Sequence, residues 1–282
     1  VRMNVAITAS DAFVAPFIVE MLGKSAVIIP DEAISDQLKL DAMLTPCNAL
    51  IHINSRPVES SFERNDRQTK LEMMNAARPI LDAVDRHGSL HLIIIGTLRV
   101  HPQWEPGEPF YGLDSTLAPR DTAAEGQLWM EENALDRAQT ERPVSVIRAS
   151  NVQGVPLSGP PGNGLLHRWA NECQMGWINV PGDGSNPKDF IHVEDLVQVI
   201  GGIIQNPPLT REEIAVGSGK GISMHDLANI YQSKTGCEIE LNQRDDDEVF
   251  GVVDAWVLEE RLGFRPRISL EEMIDEAFEA VQ

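Results

Sequence analysis

Short apolar runs alternate with longer amphipathic stretches from the start of the chain to Arg148. Asn4-Val5-Ala6-Ile7-Thr8 is too short for a helix and apolar on both faces, which predicts a buried strand. The pattern recurs in Ala26-Val27-Ile28-Ile29 (ended by Pro30-Asp31), in Ala49-Leu50-Ile51-His52-Ile53, in Leu92-Ile93-Ile94-Ile95 and in Val144-Ser145-Val146-Ile147-Arg148. A turn at Ala9 to Ala12 leads into a helix from about Phe13 to Leu22. Pro16 suits its first turn, where a missing N–H is no loss, and Gly23 suits its end. Glu72 to His87 reads as a helix stopped by Gly88, and a long helix runs from about Thr122 to Gln139. Strands apolar on both faces, with helices between them, predict an α/β architecture: a doubly wound parallel sheet covered on both sides.

After Asn151 the texture changes. Residues 153–188 are rich in Gly and Pro, as in Gly159-Pro160-Pro161-Gly162 and Pro181-Gly182-Asp183-Gly184, which predicts a loop-rich second lobe. Regular structure resumes at Phe190-Ile191-His192-Val193-Glu194-Asp195-Leu196 and continues as a helix through Ile204. The expected organisation is a core over 1–152, a loop-rich lobe over 153–189, a return to the core over 190–206 and a C-terminal lobe over 207–282.

Composition narrows the classes. With 42% hydrophobic and 23% charged residues in 282, the chain has material for a sizeable core, and disorder or low complexity is excluded. No apolar run reaches the ~18 residues of a membrane helix. The formal net charge of −20 would repel a polyanion, and no basic stripe offsets it, so nucleic acid is not an expected partner. Cys47, Cys173 and Cys237 are odd in number, far apart and without a CxxC pair. That spacing supports neither a zinc knuckle nor a disulfide framework, and predicts isolated thiols in a reduced cytoplasmic setting. The opening Val1-Arg2-Met3 leads straight into a strand-like run without the order of a signal peptide.

Six segments, taken in order, resemble the extended short-chain dehydrogenase/reductase family, the NAD-dependent sugar-nucleotide epimerases and dehydratases. They are Thr8 with the turn and helix after it; Ala49-Leu50-Ile51-His52; Arg148-Ala149-Ser150-Asn151-Val152-Gln153-Gly154; Gly182-Asp183-Gly184-Ser185 through Lys188-Asp189-Phe190-Ile191-His192-Val193-Glu194-Asp195; Gly217-Ser218-Gly219-Lys220-Gly221-Ile222-Ser223; and Leu262-Gly263-Phe264-Arg265-Pro266. The resemblance spans nearly the whole chain. It implies a Rossmann-type doubly wound sheet with a small C-terminal substrate lobe at the sheet's carboxyl edge. It also implies NAD(P) as cofactor, a small sugar-like ligand, and pairing into a homodimer or heteromer. By the same resemblance Ala9, Ala12 and Ala15 occupy the three glycine positions of the cofactor loop, and Asp31 that of the ribose-binding acid. Thr97 occupies the Ser/Thr position, Asp121 and Glu125 those of the Tyr-x-x-x-Lys pair, and Asn151 and Lys188 positions that hold the substrate diphosphate.

The departures from that pattern are chemical. The first glycine makes a tight turn, the second lets the backbone approach the pyrophosphate and the third permits close helix packing. An alanine methyl obstructs the second role and disfavours positive φ, and Asp11 adds negative charge at the same loop. NAD(P), implied by the resemblance, is opposed by these residues, and the cofactor is left open. Asp121 is shorter than tyrosine by several ångströms, and Glu125 reverses the charge of the lysine that would lower a neighbouring pKa.

Two readings of the acids stand side by side. Four residues apart, they share a helix face and form an acid–base pair, each raising the other's pKa. Alternatively they are helix-start chemistry, since Thr122-x-x-Glu125 has capping-box spacing and acids favour a helix N-terminus. The second reading is preferred. His101 is a candidate general base or a satisfied loop histidine, and Thr97 either meets a substrate or finishes a turn. His52 and His192 read as structural, and no H-x-x-x-H spacing predicts a metal site. Lys188 keeps the charge of the usual arginine without its bidentate fork. Three functions follow. The preferred one is a divergent member that has lost nicotinamide redox chemistry and binds a sugar-like or phosphorylated ligand or acts as a partner subunit. The others are a non-redox lyase, isomerase or hydrolase using Asp121, Glu125, Thr97 and His101, and a residual NAD(P)-dependent oxidoreductase or epimerase.

Overall fold

The computed structural model describes residues 3–8, 12–54, 67–103, 110–112, 114–159, 164–242 and 251–281, which group into two units. The first unit comprises residues 1–102, 115–148 and 197–214. Its sheet has the strand order β2-β1-β3-β4-β5-β9, with β1 Val5–Ile7, β2 Ala26–Ile28, β3 Ala49–Ile53, β4 His91–Thr97, β5 Val144–Ala149 and β9 Arg211–Val216. β1 pairs in parallel with both β2 and β3, and β3 in parallel with β4 (Ala49 opposite His91). Val144 N–H donates to the Thr210 carbonyl and Ser150 N–H to that of Val216, so β5 and β9 also run in the same direction.

Helices α1 (Ala15–Leu22), α2 (Asp31–Ile34), α3 (Gln37–Leu44), α4 (Arg67–Arg86) and α5 (Thr122–Leu135) connect these strands. Pro16 lies in the first turn of α1, and Gly23 ends it at φ +53°, a conformation that glycine adopts without a Cβ penalty. One face of the sheet, through Ala6, Leu50, Leu92, Ile94 and Val146, packs on Ile80, Leu81 and Val84 of α4 and Met130 and Ala134 of α5. α4 and α5 approach closely at Gly126, where a Cβ would stand 2.5 Å from Met73 Cβ.

The second unit comprises residues 103–114, 149–196 and 215–282. It holds β6 (Asn151–Gln153), β7 (Trp177–Pro181), β8 (Pro187–His192), β10 (Gly221–Ser223) and β11 (Glu238–Asn242). These form a three-stranded sheet, β10-β8-β6, and a two-stranded parallel sheet, β11-β7. Helices α6 (Leu165–Gln174), α8 (Met224–Thr235) and α10 (Leu270–Ala280) enclose a core of Leu166, Trp169, Ile178, Tyr231 and Ile274. Among the described residues are also α7 (Val193–Gln205) and α9 (Trp256–Leu262).

The observed elements differ from the sequence expectations in several places, among them helices α2 and α3 and an earlier start of α4 at Arg67. The stretch 153–188 is more regular than its composition suggests, because Leu165, Leu166, Trp169, Ala170 and Cys173 form one buried helical stripe between glycine-rich breaks. β9 was not apparent in the sequence, since Arg211-Glu212-Glu213 is polar and only Ile214 and Val216 of the strand are buried. The first unit takes in residues 197–214, and residues 103–114, 149–152 and 190–196 group with the second.

Candidate active site

The first unit carries the positions expected for the cofactor loop and the proton-transfer pair. Ala9, Ser10 and Asp11 lie outside the described residues. Ala15 opens α1 and is fully buried, so the helix packs closely with a methyl there. Ala12 accepts the Ala15 N–H at its carbonyl (2.9 Å), Pro16 has no N–H, and no side chain caps the helix. Pyrophosphate on a helix start requires N–H groups aimed at the anion. One is turned back to Ala12 and one does not exist, so of the described residues at this helix start neither Ala15 nor Pro16 offers a donor to a pyrophosphate. Asp31 is exposed just past the end of β2, as the first residue of α2. Between β1 and β3, Thr8 Oγ1 and His52 Nδ1 are 2.8 Å apart. Burial pushes the His52 ring down to about 4, so it is neutral at pH 7.

β4 ends at Thr97, whose Oγ1 accepts the Arg99 N–H (3.4 Å) and so starts the 3₁₀ turn Leu98–Val100. Arg99 is then held against Asp121: its Nε–H donates to Asp121 Oδ2 at 3.0 Å, and its Nη2 donates to the same oxygen. The other oxygen, Oδ1, accepts the Ala124 N–H at 2.8 Å, which makes Asp121 the N-cap of α5. Helix-start chemistry is therefore present, with Asp121 rather than Thr122 as the cap. Glu125 turns to a different partner, the ammonium of Lys70 on α4, at 2.7 Å. That pair is well exposed and screened, whereas Arg99–Asp121 is largely buried. His101 donates Nδ1–H to the Thr116 carbonyl (2.9 Å), and its own carbonyl accepts from Arg120 Nε. Burial holds its ring down to about 4, partly opposed by the Thr116 hydrogen bond, which makes it a weak base near neutrality. The structure thus gathers Thr97, Arg99 and Asp121 into one hydrogen-bonded group and engages Glu125 and His101 elsewhere in the same unit.

Sequence reasoning missed Glu131. It falls on the face of α5 that also carries Gln127, Ala134 and Leu135, and it is fully buried. Its Oε2 accepts from Arg148 Nε (2.8 Å), and Arg148 Nη2 donates to Glu213 (2.7 Å). Burial raises the Glu131 carboxyl to about 7, against the lowering effect of Arg148. Gly96, next to Thr97, makes room for it: a Cβ there would stand 2.5 Å from Glu131 Oε1.

In the second unit the structure brings Asn151 and Lys188 together. Lys188 Nζ donates to Asn151 Oδ1 (3.3 Å), and Asn151 Nδ2 donates to the Asp189 carbonyl (2.8 Å). Asp189, the residue after Lys188 in β8, is an internal clamp. Its carboxylate accepts Ser218 N–H (2.8 Å), Ser218 Oγ–H (2.6 Å), Gly219 N–H (3.0 Å) and Val253 N–H (3.0 Å). Both tyrosines of the chain, Tyr111 and Tyr231, also belong to this unit. Tyr231 Oη–H donates to the Leu166 carbonyl inside the core. Among the described residues no group of three or more His, Cys, Asp or Glu is placed to hold a metal ion, and no helix is long and apolar enough to cross a membrane.

Comparison with known proteins fits this fold. A dTDP-L-rhamnose 4-epimerase from Burkholderia thailandensis is 28% identical over 174 residues, covering 56% of this chain and 46% of that protein. The chain thus spans about half the length of the curated relative it matches. Among solved structures, Pal from Bacillus thuringiensis has a TM-score of 0.82 at 18% identity, covering 99% of both chains. A UDP-glucose-4-epimerase from Stenotrophomonas maltophila, with bound NAD and formylated UDP-arabinopyranose, has a TM-score of 0.81 at 18% identity, covering 98% of this chain and 97% of that one. At such identities these two show the fold alone. The family model for the NAD dependent epimerase/dehydratase family matches residues 28–217, more than half of the chain. On that match, the chain belongs to the NAD dependent epimerase/dehydratase family.

Proposed function

We propose that this chain is a member of the family that binds a phosphate-bearing, sugar-like ligand and does not run a nicotinamide hydride-and-proton cycle. The observation that carries this reading is the engagement of the two acids at the proton-transfer positions. Asp121 caps α5 through one oxygen and holds Arg99 through the other, and Glu125 is paired with Lys70. Releasing Asp121 to meet a substrate would uncover both a helix N–H and a largely buried guanidinium, a cost of about 3–5 kcal/mol. Neither position carries a tyrosine, and at the start of α1 neither Ala15 nor Pro16 offers an N–H to a pyrophosphate. The same engagement speaks against a carboxylate-driven lyase or hydrolase. For the ligand, Lys188 is a fully buried positive charge donating to Asn151 Oδ1, and phosphate oxygens would take over that contact as stronger, charged acceptors. The names of the relatives point to nucleotide-linked sugars.

Native mass spectrometry and titration calorimetry with UDP-glucose, NAD⁺, NADH and NADP⁺ test the reading. UDP-glucose should bind, and Lys188→Met should weaken it at least about tenfold, the loss of one charge-assisted hydrogen bond. Asp121→Asn, which keeps the cap oxygen, should leave that affinity unchanged. Dinucleotide retained through purification, or a change in NADH absorbance on incubation with a UDP-sugar, would overturn the proposal.

A further inference from the structure

Cys173 and Cys237 are 64 residues apart in sequence, and their sulfurs lie 2.8 Å apart in the core of the second unit. A formed disulfide has S–S of about 2.04 Å, so closing the bond requires less than an ångström of movement. Both residues are held by their surroundings. Cys173 is in the last turn of α6, on its buried face with Trp169 and Ala170. Cys237 immediately precedes β11, its N–H donating to Thr235 Oγ1 (3.2 Å) and its carbonyl accepting from Gln232 Nε2 (3.1 Å). The next residue, Glu238, donates its N–H to the Gly176 carbonyl (2.8 Å), which locks the segment beside the turn after α6. Joining the sulfurs would therefore order little that is not ordered already, in contrast to engineered pairs that distort their hosts.

We propose that Cys173 and Cys237 form a redox-sensitive pair, a dithiol in reducing surroundings that closes to a disulfide tying α6 to β11 when a low-molecular-weight disulfide is the oxidant. One protein thiolate attacks a sulfur of the small disulfide, whose S–S bond breaks and releases one small thiol. The second protein thiolate then attacks the mixed disulfide and releases the other small thiol. Two protein thiols are oxidised, one external disulfide is reduced to two thiols, and the two protons pass to the released thiolates. Both side chains are buried, and desolvation pushes the Cys173 thiol up to about 12. Exchange therefore proceeds through local opening and is slow, but the product is a buried bond that small thiols reach equally slowly. Cys47, partly buried on the other unit, takes no part.

The test uses the full chain, incubated with oxidised glutathione and then cleared of reagent. Intact mass under denaturing conditions should fall by about 2 Da, the two hydrogens lost. Of the three cysteines, one should still be alkylated by iodoacetamide after denaturation, and peptide mapping should identify it as Cys47. The melting temperature should rise by about 5–10 °C, as closing a loop of this length predicts, and return on reduction. Cys47→Ser should behave like the parent. Cys237→Ser should show neither the mass loss nor the thermal gain. Three alkylatable thiols in the treated parent, or a linked peptide containing Cys47, would overturn the proposal even if Cys237→Ser fails to fold.

Discussion

At the scale of single residues, the site is dominated by groups whose partners decide their state. Asp121 and Glu125 have the same chemistry and lie four residues apart, yet one holds a largely buried arginine and the other an exposed lysine. His52 shows the consequence of burial most simply. In the unfolded chain its ring takes a proton near pH 6.5, and in the folded chain only at about 4. The unfolded state therefore binds the extra proton first. The stabilising contribution of the neutral ring is complete above pH 6.5 and is lost as pH falls towards 4, by up to about 3 kcal/mol. His52→Gln, which keeps a hydrogen-bonding partner for Thr8, should lose less stability than the parent between pH 6.5 and 4.5. Urea midpoints measured across that range check this, and parallel curves for the two proteins would refute it.

At the scale of elements, the placement of α5 carries most of the candidate site. Its N-cap is Asp121, its first turn holds Glu125, and its inner face holds Glu131 against Gly96 of β4. Gly126 governs how near α5 comes to α4. In an exposed helix an alanine would be preferred by about 1 kcal/mol. Here its methyl would meet Met73 Cβ at 2.5 Å and the Lys70 carbonyl at 3.3 Å, and neither can yield by a side-chain rotation alone. Overpacking of this kind costs about 1–3 kcal/mol, so the helix preference is at best cancelled. Gly126→Ala should lower the melting temperature by a few degrees and leave Lys70–Glu125 strained. An unchanged or higher melting temperature would show that the two helices part freely.

At the scale of the whole molecule, segments far apart in sequence are tied by buried polar groups. Asp189 joins β8 to the Ser218-Gly219 turn and to Val253. Asp195 does the same for the C-terminal segment, accepting the N–H groups of Arg267 and Ile268 at 2.9 Å each. Removing the first clamp would leave buried donors without an acceptor, at about 1–3 kcal/mol for each group left unsatisfied. Asp189→Ala should speed amide exchange at Ser218, Gly219 and Val253 by at least about tenfold, the factor that 1.4 kcal/mol of lost protection gives. Hydrogen exchange followed by mass spectrometry reads this directly, and unchanged protection at those amides would remove Asp189 from the role of clamp.

The division between sequence and structure follows the range of the interactions. The five apolar strands, the turn and Pro-Gly punctuation of α1 and the family motifs were all legible in the sequence. Periodicity, capping and composition are properties of neighbouring residues, and the chain states them locally. The helix α6 was hidden by the glycine-rich segments around it, and β9 by its acidic start. What only the tertiary structure decided is which group meets which. Arg99 comes to Asp121, Lys70 crosses from α4 to Glu125, and Glu131 turns inward to Arg148. Cys173 meets Cys237 although their spacing suggested unrelated thiols. Each of these depends on burial and on a partner from another element, and a carboxylate or a thiol takes its chemistry from that partner and from the loss of water around it.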